Sequence, residues 1–307
     1  MRDQSARWFA ALILCTVIAG CDVDQQGGGS RVGESTTGRD SSKSIRVASF
    51  NIQVFGKSKS QKPAVMDVLA KVVRRFEVVA IQELRAKDSQ IIPNFVKLIN
   101  EHGRRYDYVV GPRLGRSSSK EQYVYLFDSE VIEVQPGSVY TVNDPDDLLH
   151  REPLVARFRV KPVAGTTPFS FTLINIHTDP DETDIELNVL DDVYRVVCED
   201  GSGEDDVILL GDLNVDHRHL GELGKLPKIA WTVSGEPTNA RGTKSYDNIV
   251  YNTQATIEFT GKSGVFDLAK EFGLTKQELL KVSDHLPVWA EFSSSEGDAA
   301  LVASRPR

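Results

Sequence analysis

Between Ile45 and Phe292, short runs rich in β-branched and aromatic residues recur, and they end again and again on a side chain that carries chemistry. Ile45–Asn51 ends on an amide, and Val78–Leu84 has Glu83 near its end. Phe169–His177 closes on an imidazole. Val207–Leu213 carries Asp212 and runs into Asn214, and Asp284-His285 immediately precede Val288–Phe292. Each run has the length and composition of a strand. A polar group at a strand end is held on a rigid element and faces the same rim as its neighbours. Any one of them has a local excuse, since Asn and Asp stabilise turns and a lone His usually finds a structural partner. Six such positions together constrain the chain to a fold in which strand ends converge.

The remaining runs fit that constraint. Tyr106–Gly111, Tyr123–Phe127, Leu154–Val160 and Asn248–Tyr251 read as further strands. Pro63–Phe76 sets Val65, Leu69, Val72, Val73 and Phe76 near one helical face behind an N-terminal proline. Ile91–Asn100 and a long stretch over Glu182–Cys198 also read as helix. Hairpins mixed with helical crossovers predict an α/β (α+β) fold in which two packed β-sheets are flanked by helices. With 40% hydrophobic and 26% charged residues in 307, the body suits one large domain over 45–293. No repeat of solenoid type is present. The formal net charge of -8 excludes a coat-like polyanion binder but leaves room for an enzyme that meets phosphate through a cation.

The termini read as addressing. Arg2 and Arg7 precede the apolar run Trp8–Ala19, which is too short for a comfortable bilayer span of about 20 residues. Ile18-Ala19-Gly20-Cys21 resembles the bacterial lipobox. The expectation is a lipoprotein-type signal over 1–21, lipidation at Cys21 and a membrane anchor; an ordinary cleaved signal is the alternative. Residues 22–44 are Gly, Ser, Thr, Gln and charge, a flexible tether, and 294–307 is expected to be a disordered tail. The chain is therefore expected to be exported, anchored to a bacterial cell envelope or secreted. Cys198 is the one thiol of the body, so no internal disulfide is expected there.

Six segments occur in the order of the endonuclease/exonuclease/phosphatase family. They are Ser49-Phe50-Asn51-Ile52, Ile81-Gln82-Glu83, Asn175-Ile176-His177, Gly211-Asp212-Leu213-Asn214, Ser245-Tyr246-Asp247 and Ser283-Asp284-His285-Leu286-Pro287. Phe55-Gly56, Gln82-Glu83-Leu84-Arg85, Leu114-Gly115-Arg116 with Lys120-Glu121 and Tyr123, and Arg151-Glu152-Pro153 resemble its deoxyribonuclease I branch more closely. The resemblance covers about Ile45 to Phe292. It implies a DNase I-like four-layer sandwich and a metal-dependent phosphodiesterase, with DNA as substrate and RNA or another phosphodiester as alternatives.

The residue types suit that reaction independently. Phosphodiester hydrolysis needs an activated water, charge relief on the phosphate and a proton for the leaving alkoxide. Asn51 and Glu83 offer an all-oxygen site for Mg²⁺ or Mn²⁺, whereas zinc-type clusters are missing. His177 and His285 supply acid and base, and the sequence leaves either as the acid. By the family pattern Glu121 partners His177, Asp247 partners His285, Asp212 and Asn214 contact phosphate and orient the water, and Asp284 helps hold the metal. Arg85, Arg116 and Arg151 are candidates for gripping phosphate or entering a minor groove, with surface ion pairing as the alternative, evenly balanced for Arg116. Asp147 and Glu152 resemble the ligands of a structural Ca²⁺ loop, with a merely solvated acidic loop as the alternative. Glu236 and Thr238 begin a weaker one, which Ala240 and Gly242 do not continue. His102, His150, His217 and His219 are read as surface residues.

Gln53 stands where deoxyribonuclease I has an arginine, and Ser119 where it has a tyrosine. Both changes weaken groove binding and leave the hydrolytic set intact. The disulfide of that enzyme near Asp212 is also absent. Competing readings are a sphingomyelinase or phosphoinositide phosphatase of the same superfamily, and a catalytically silent binding module. No protein partner is signalled, and a monomer is expected.

Overall fold

The computed structural model describes residues 43–116 and 120–297. The signal segment, Cys21, nearly all of the tether, Ser119 and residues 298–307 lie outside these. In chain order the first half forms β1 (Ser44–Phe55), α1 (Lys57–Ser60), α2 (Pro63–Val73), β2 (Val78–Leu84), α3 (Ile91–Asn100), β3 (Tyr106–Val110), β4 (Gln122–Asp128), β5 (Ile132–Val134) and β6 (Tyr140–Thr141). The second half forms β7 (Leu154–Val160), β8 (Ser170–His177), α4 (Thr183–Leu187), α5 (Leu190–Cys198), β9 (Val207–Asp212), β10 (Ile229–Trp231), β11 (Asp247–Asn252), β12 (Phe259–Val265), α6 (Leu268–Phe272), α7 (Lys276–Val282) and β13 (Val288–Ser293).

Two mixed sheets result. One is ordered β12-β13-β1-β2-β4-β3, the other β10-β11-β9-β8-β7-β5 with β6 paired to β7. Each sheet has one parallel pair at its centre, β1 with β2 and β8 with β9. Each such pair is joined through helices, as a parallel connection requires. Helices α2, α3, α6 and α7 cover the outer face of the first sheet, and α4 and α5 cover that of the second. The layers are helix, sheet, sheet, helix, as expected from the alternation of elements.

Side chains alternate across each strand with period two, and the inner positions change in character along it. Phe171 and Leu173 on β8 are followed by Asn175 and His177, and Ile208 and Leu210 on β9 by Asp212. Val47 on β1 is followed by Ser49 and Asn51, and Val78 and Ala80 on β2 by Gln82. At the apolar end, Phe158 stacks on Phe171 with centroids 5.8 Å apart, and Tyr125 meets Phe158 edge to face at 5.2 Å. Midway, a buried amide network crosses the seam. Gln82 Nε2 donates to Asn175 Oδ1 (2.7 Å) and Ser49 Oγ (3.0 Å), while Asn175 Nδ2 donates to the carbonyls of Ile81 (3.2 Å) and Val124 (3.3 Å). Tyr125 Oη reaches the carbonyls of Leu154 and Leu173 in the other sheet, at 2.8 and 3.0 Å.

Close approach of β8 and β9 depends on Gly211. A Cβ there would lie 1.8 Å from the carbonyl oxygen of Ile176. That explains the glycine before Asp212. At the other sheet, the buried Lys59 ammonium donates to the carbonyls of Ile52, Gln53 (2.5 Å) and Val282 (2.7 Å), joining the end of β1 to the end of α7. Burial pulls its pKa down to about 8 against the attraction of Glu83 and Asp284.

Several boundaries differ from the sequence expectation. The long helix over Glu182–Cys198 is two helices, because Asn188 and Val189 bond back to Ile185 and Glu186 in tight turns and Asn188 Oδ1 accepts from Glu222 N. Ser44 begins β1 rather than ending a tether. Ser294–Gly297 dock rather than trail: Ser294 N bonds Lys43 O, its own carbonyl accepts from Phe169 N, and Glu296 N bonds Thr167 O. β12 escaped sequence reading because Gly261 and Gly264 interrupt its alternation. Short β5, β6 and β10 and helices α1, α6 and α7 were also not anticipated. Cys198 has no disulfide partner among the described residues, and partial burial with the nearby Glu199 carboxylate pushes its thiol up to about 11. No described helix is long and apolar enough to cross a membrane.

Replacing Asn175 by Ala removes one of the two acceptors of Gln82 Nε2 and the side-chain donor to two carbonyls in the seam. Stability to urea is expected to fall by about 1–3 kcal/mol, and a loss below roughly 0.5 kcal/mol would remove the network from any structural role. Lys59→Met leaves three carbonyls without their donor and should cost a comparable ~1–3 kcal/mol. An unchanged denaturation midpoint would show that the ammonium holds nothing.

Candidate active site

The inner polar ends of the central strands meet at Asp212. Its Oδ2 accepts from Asn51 Nδ2 of the opposite sheet at 2.9 Å. The Nε2 atoms of His177 and His285 face the same oxygen from 3.6 and 3.5 Å. Each imidazole is fixed from behind: His177 Nδ1 lies 2.8 Å from Glu121 Oε1, and His285 Nδ1 lies 2.9 Å from Asp247 Oδ2. All four carboxylate and imidazole partners are almost wholly buried. A carboxylate on Nδ1 leaves Nε2 as the nitrogen that points into the site.

Local structure explains these placements. Asp212 Oδ1 accepts from Asn214 N (3.0 Å), and Asn214 Nδ2 donates to Thr178 O (2.8 Å), so the turn after β9 is closed on the turn after β8. Thr238 Oγ1 donates to Asp247 Oδ2 (2.6 Å) and receives the backbone N–H groups of Tyr246 and Asp247. Ser283 Oγ donates to Asn51 O (2.7 Å) and accepts from His285 N (3.0 Å), which ties the last loop to β1.

The ends of β1 and β2 are irregular at the residues read as metal ligands. Gln53, Val54 and Glu83 have φ of 48°, 51° and 63°, and the β1–β2 register shifts there. Such conformations cost roughly 1–3 kcal/mol each in non-glycine residues and persist where surroundings enforce them. The result turns Glu83 toward the seam. Its Oε1 accepts from Asn51 Nδ2 (3.2 Å) and its Oε2 from Val54 N (2.7 Å), with Arg85 3.0 Å away. Asn51 Oδ1 accepts from Gln53 N (2.8 Å), so its Nδ2 lies between Glu83 and Asp212.

Charge is balanced locally. Burial opposes ionisation of Glu121, yet the His177 hydrogen bond and the charges of His177 and Arg151 hold it below the usual carboxylate range. Against burial, Glu121 and Asp212 raise His177. Against burial again, Asp247 and Asp212 push His285 up to about 10. Burial and Asp212 also raise Asp247, against the neighbouring His285 charge.

The structure brings together Asn51, Glu83, Glu121, His177, Asp212, Asn214, Asp247 and His285. Asp284 lies at the rim, 44% exposed, with Oδ1 3.9 Å from His285 Nε2. Arg151 departs from the phosphate-gripping expectation. Its guanidinium is buried, pairs with Glu121 Oε1 at 2.7 Å and donates to His177 O at 3.0 and 2.9 Å, so it supports the site from beneath. Arg116 takes the ion-pair alternative, with Asp147 at 3.3 Å and Glu182 at 2.5 Å. Arg85 spans Glu83 (3.0 Å) and Glu121 (3.6 Å) while remaining about one-third exposed. Asp147 is thus engaged by Arg116, and neither it nor Glu152 joins a group of three or more close ligand atoms among the described residues. His150, read as a surface residue, is mostly buried and faces Asp179 at 3.5 Å.

Sequence reasoning missed Lys59, the role of Thr238 (read there as part of a weak calcium loop) in holding Asp247, and the cleft beside Asn214. That cavity, about 600 Å³, is lined by Arg218, Lys244, His217, His219, Tyr246 and acidic residues including Asp184 and Asp216. Only adjacency to the strand-end motifs could have signalled it.

A family model described as the Endonuclease/Exonuclease/phosphatase family matches residues 48–285. Deoxyribonuclease gamma of Rattus norvegicus is 32% identical over 269 residues, covering 82% of this chain and 86% of the relative. Deoxyribonuclease-1-like 1 of Mus musculus is 33% identical over 261 residues, covering 82% and 81%. Among solved structures, the endonuclease/exonuclease/phosphatase from Bacteroides vulgatus superposes with a TM-score of 0.57 at 15% identity, covering 82% of this chain and 99% of that one. Truncated Caenorhabditis elegans TDP2 gives 0.56 at 14% identity, covering 81% and 98%. The structural likenesses speak for the fold; the span of the family match and the identity to the deoxyribonucleases together mean that this chain belongs to the endonuclease/exonuclease/phosphatase family.

Proposed function

We propose that this chain is a divalent-metal-dependent, DNase I-like endonuclease that hydrolyses the phosphodiester bonds of DNA. The observation that carries the reading is the pair of imidazoles, each fixed at Nδ1 by its own buried carboxylate and both facing Asp212 Oδ2 from 3.5–3.6 Å. The deoxyribonuclease names of the relatives support DNA as substrate, and the cleft with Arg218, Lys244 and Tyr246 suits a polyanion carrying rings.

The donor set fits a hard cation. Two buried carboxylates, Glu83 and Asp212, converge on the side-chain NH2 of Asn51, and Asp247 Oδ1 is buried without a hydrogen-bond partner. Glu83, Asn51 and Asp284 are the residues that would hold Mg²⁺ or Mn²⁺. Bound there, the ion would relieve charge on the phosphate oxygens. The remaining steps belong to the side chains. Asp212, facing both imidazoles through Oδ2, orients the attacking water with Asn214. One imidazole takes the proton of the attacking water at Nε2, and the other, as the imidazolium, gives its Nε2 proton to the leaving oxygen. Glu121 and Asp247 hold the rings in place, and Arg151 fixes Glu121. A structural Ca²⁺ at Asp147 and Glu152 is a finer part of the same reading. So is export with lipidation at Cys21, which rests on Arg2, Arg7 and the Ile18-Ala19-Gly20-Cys21 segment.

Supercoiled plasmid with Mg²⁺ is expected to be nicked, EDTA is expected to stop it, and His177→Ala or His285→Ala should each lower the rate by about 10²–10⁴. Intact plasmid beside hydrolysis of a phospholipid or simple phosphodiester would overturn the DNA assignment alone. For Glu121→Gln, kcat should fall by roughly 10²-fold or more while KM holds, because the ring loses its orienting charge and not its substrate contact. A change confined to KM would place Glu121 among substrate-binding groups instead.

A further inference from the structure

At the opposite end of the same strands lies a second carboxylate cluster. Asp206 immediately precedes β9, Glu258 immediately precedes β12, and Glu296 follows β13. From Asp206 to Asp212 the strand runs six residues, roughly 20 Å at about 3.3 Å per residue, so the cluster is remote from the active site. It draws Asp206 from the second sheet and Glu258 and Glu296 from the first, at the place where the docked segment Ser294–Gly297 crosses both.

We infer that Asp206, Glu258 and Glu296 form a structural binding site for a hard divalent cation, Ca²⁺ in first place. One carboxylate oxygen from each lies within 4.8 Å of the others. Oxygens on a Ca²⁺ coordination shell of about 2.3–2.6 Å radius are at most about 5 Å apart. Acidic residues often gather on a surface without binding anything, and three features separate this group from that case. Asp206 and Glu258 are each 3% exposed, so water does not disperse their charge. Asp206 Oδ1 and Glu258 Oε2 are buried with no hydrogen-bond partner. Thr256, a side chain with no exposed surface, brings its hydroxyl beside Asp206 and adds an oxygen to the set. Buried polar atoms in native proteins nearly always have partners. Here two orphaned carboxylate oxygens share one neighbourhood, and none of the three acids forms an ion pair with Lys or Arg among the described residues.

One oxygen of each glutamate is already engaged, which fixes the geometry of the other. Glu258 Oε1 accepts from Gly297 N (3.0 Å) and Glu296 Oε1 from Ser170 N (2.9 Å). Glu204 takes Asp206 N and the Ser170 hydroxyl. The free oxygens converge from three elements. Without a cation the acids must share protons: burial and the neighbouring Glu258 and Glu296 push Asp206 up to about 9, and burial with Glu258 and Glu204 pushes Glu296 to about 7. A mixed set of carboxylates, a hydroxyl and water, with no enforced octahedron, favours Ca²⁺ over Mg²⁺. Bound there, the ion would tie the two sheets and the C-terminal segment together at the end away from the catalytic rim.

Isothermal titration of Ca²⁺ into the chelator-stripped full chain tests this, alongside Glu258→Gln and Glu296→Gln. Glu296 is half-buried, so its variant remains informative should Glu258→Gln fail to fold. Each variant is expected to bind one Ca²⁺ fewer than the parent and to lose part of the Ca²⁺-induced rise in unfolding temperature, with Mg²⁺-dependent plasmid nicking unchanged. Equal stoichiometry and equal thermal response in the parent and Glu296→Gln overturns the proposal. So does a variant that is more stable at all Ca²⁺ concentrations with unaltered binding, the signature of acids that merely share protons.

Discussion

Asn51 at the end of β1 donates to Asp212 at the end of β9, and through that one bond each sheet supplies what the other lacks. The first sheet brings Asn51, Glu83 and His285 near its strand ends, and the second brings His177, Asp212 and Asp247. The site therefore exists only while the two sheets keep their mutual register. A slip of one residue in any central strand would exchange inner for outer side chains and remove the group concerned. The packed rings of Phe158, Phe171 and Tyr125 resist that slip by shape, and the Gln82–Asn175 network resists it by requiring specific partners.

Apolar side chains fill the inner positions where the seam is dry, amides occupy the middle, and ionisable groups lie where it opens to solvent. Burial of the first kind is non-directional and supplies most of the stability. The amides contribute less energy but specify alignment, because an unpaired buried amide is costly. The ionisable groups use that alignment: the carboxylates around His177 and His285 raise both imidazoles against the effect of burial. Lys59 extends the same economy to the first sheet, spending a buried charge on the carbonyls of an irregular strand end so that Glu83 is presented to the seam.

Much of this was legible residue by residue. Runs such as Phe169–His177 and Val207–Leu213 announce both a strand and the chemistry at its tip, since period-two alternation is a local property of the backbone. Arg151 was not legible. Its charge and its place beside Glu152-Pro153 suit a phosphate contact equally well, and only the fold decides that the guanidinium is buried against Glu121 and His177 O. Arg116 is a similar case, its partners Asp147 and Glu182 being distant in sequence.

By itself the sequence determined the element types, the helix-flanked pair of sheets and the identity of the groups at the strand ends. Hydrophobic period and side-chain chemistry are carried within a few neighbouring residues, which is why they can be read from one chain. Only tertiary structure decided which charges meet. The facing of two imidazoles across Asp212, the burial of Arg151 and the gathering of Asp206, Glu258 and Glu296 depend on contacts between segments tens to hundreds of residues apart. Their energies are set by distance and desolvation, quantities that no local pattern encodes.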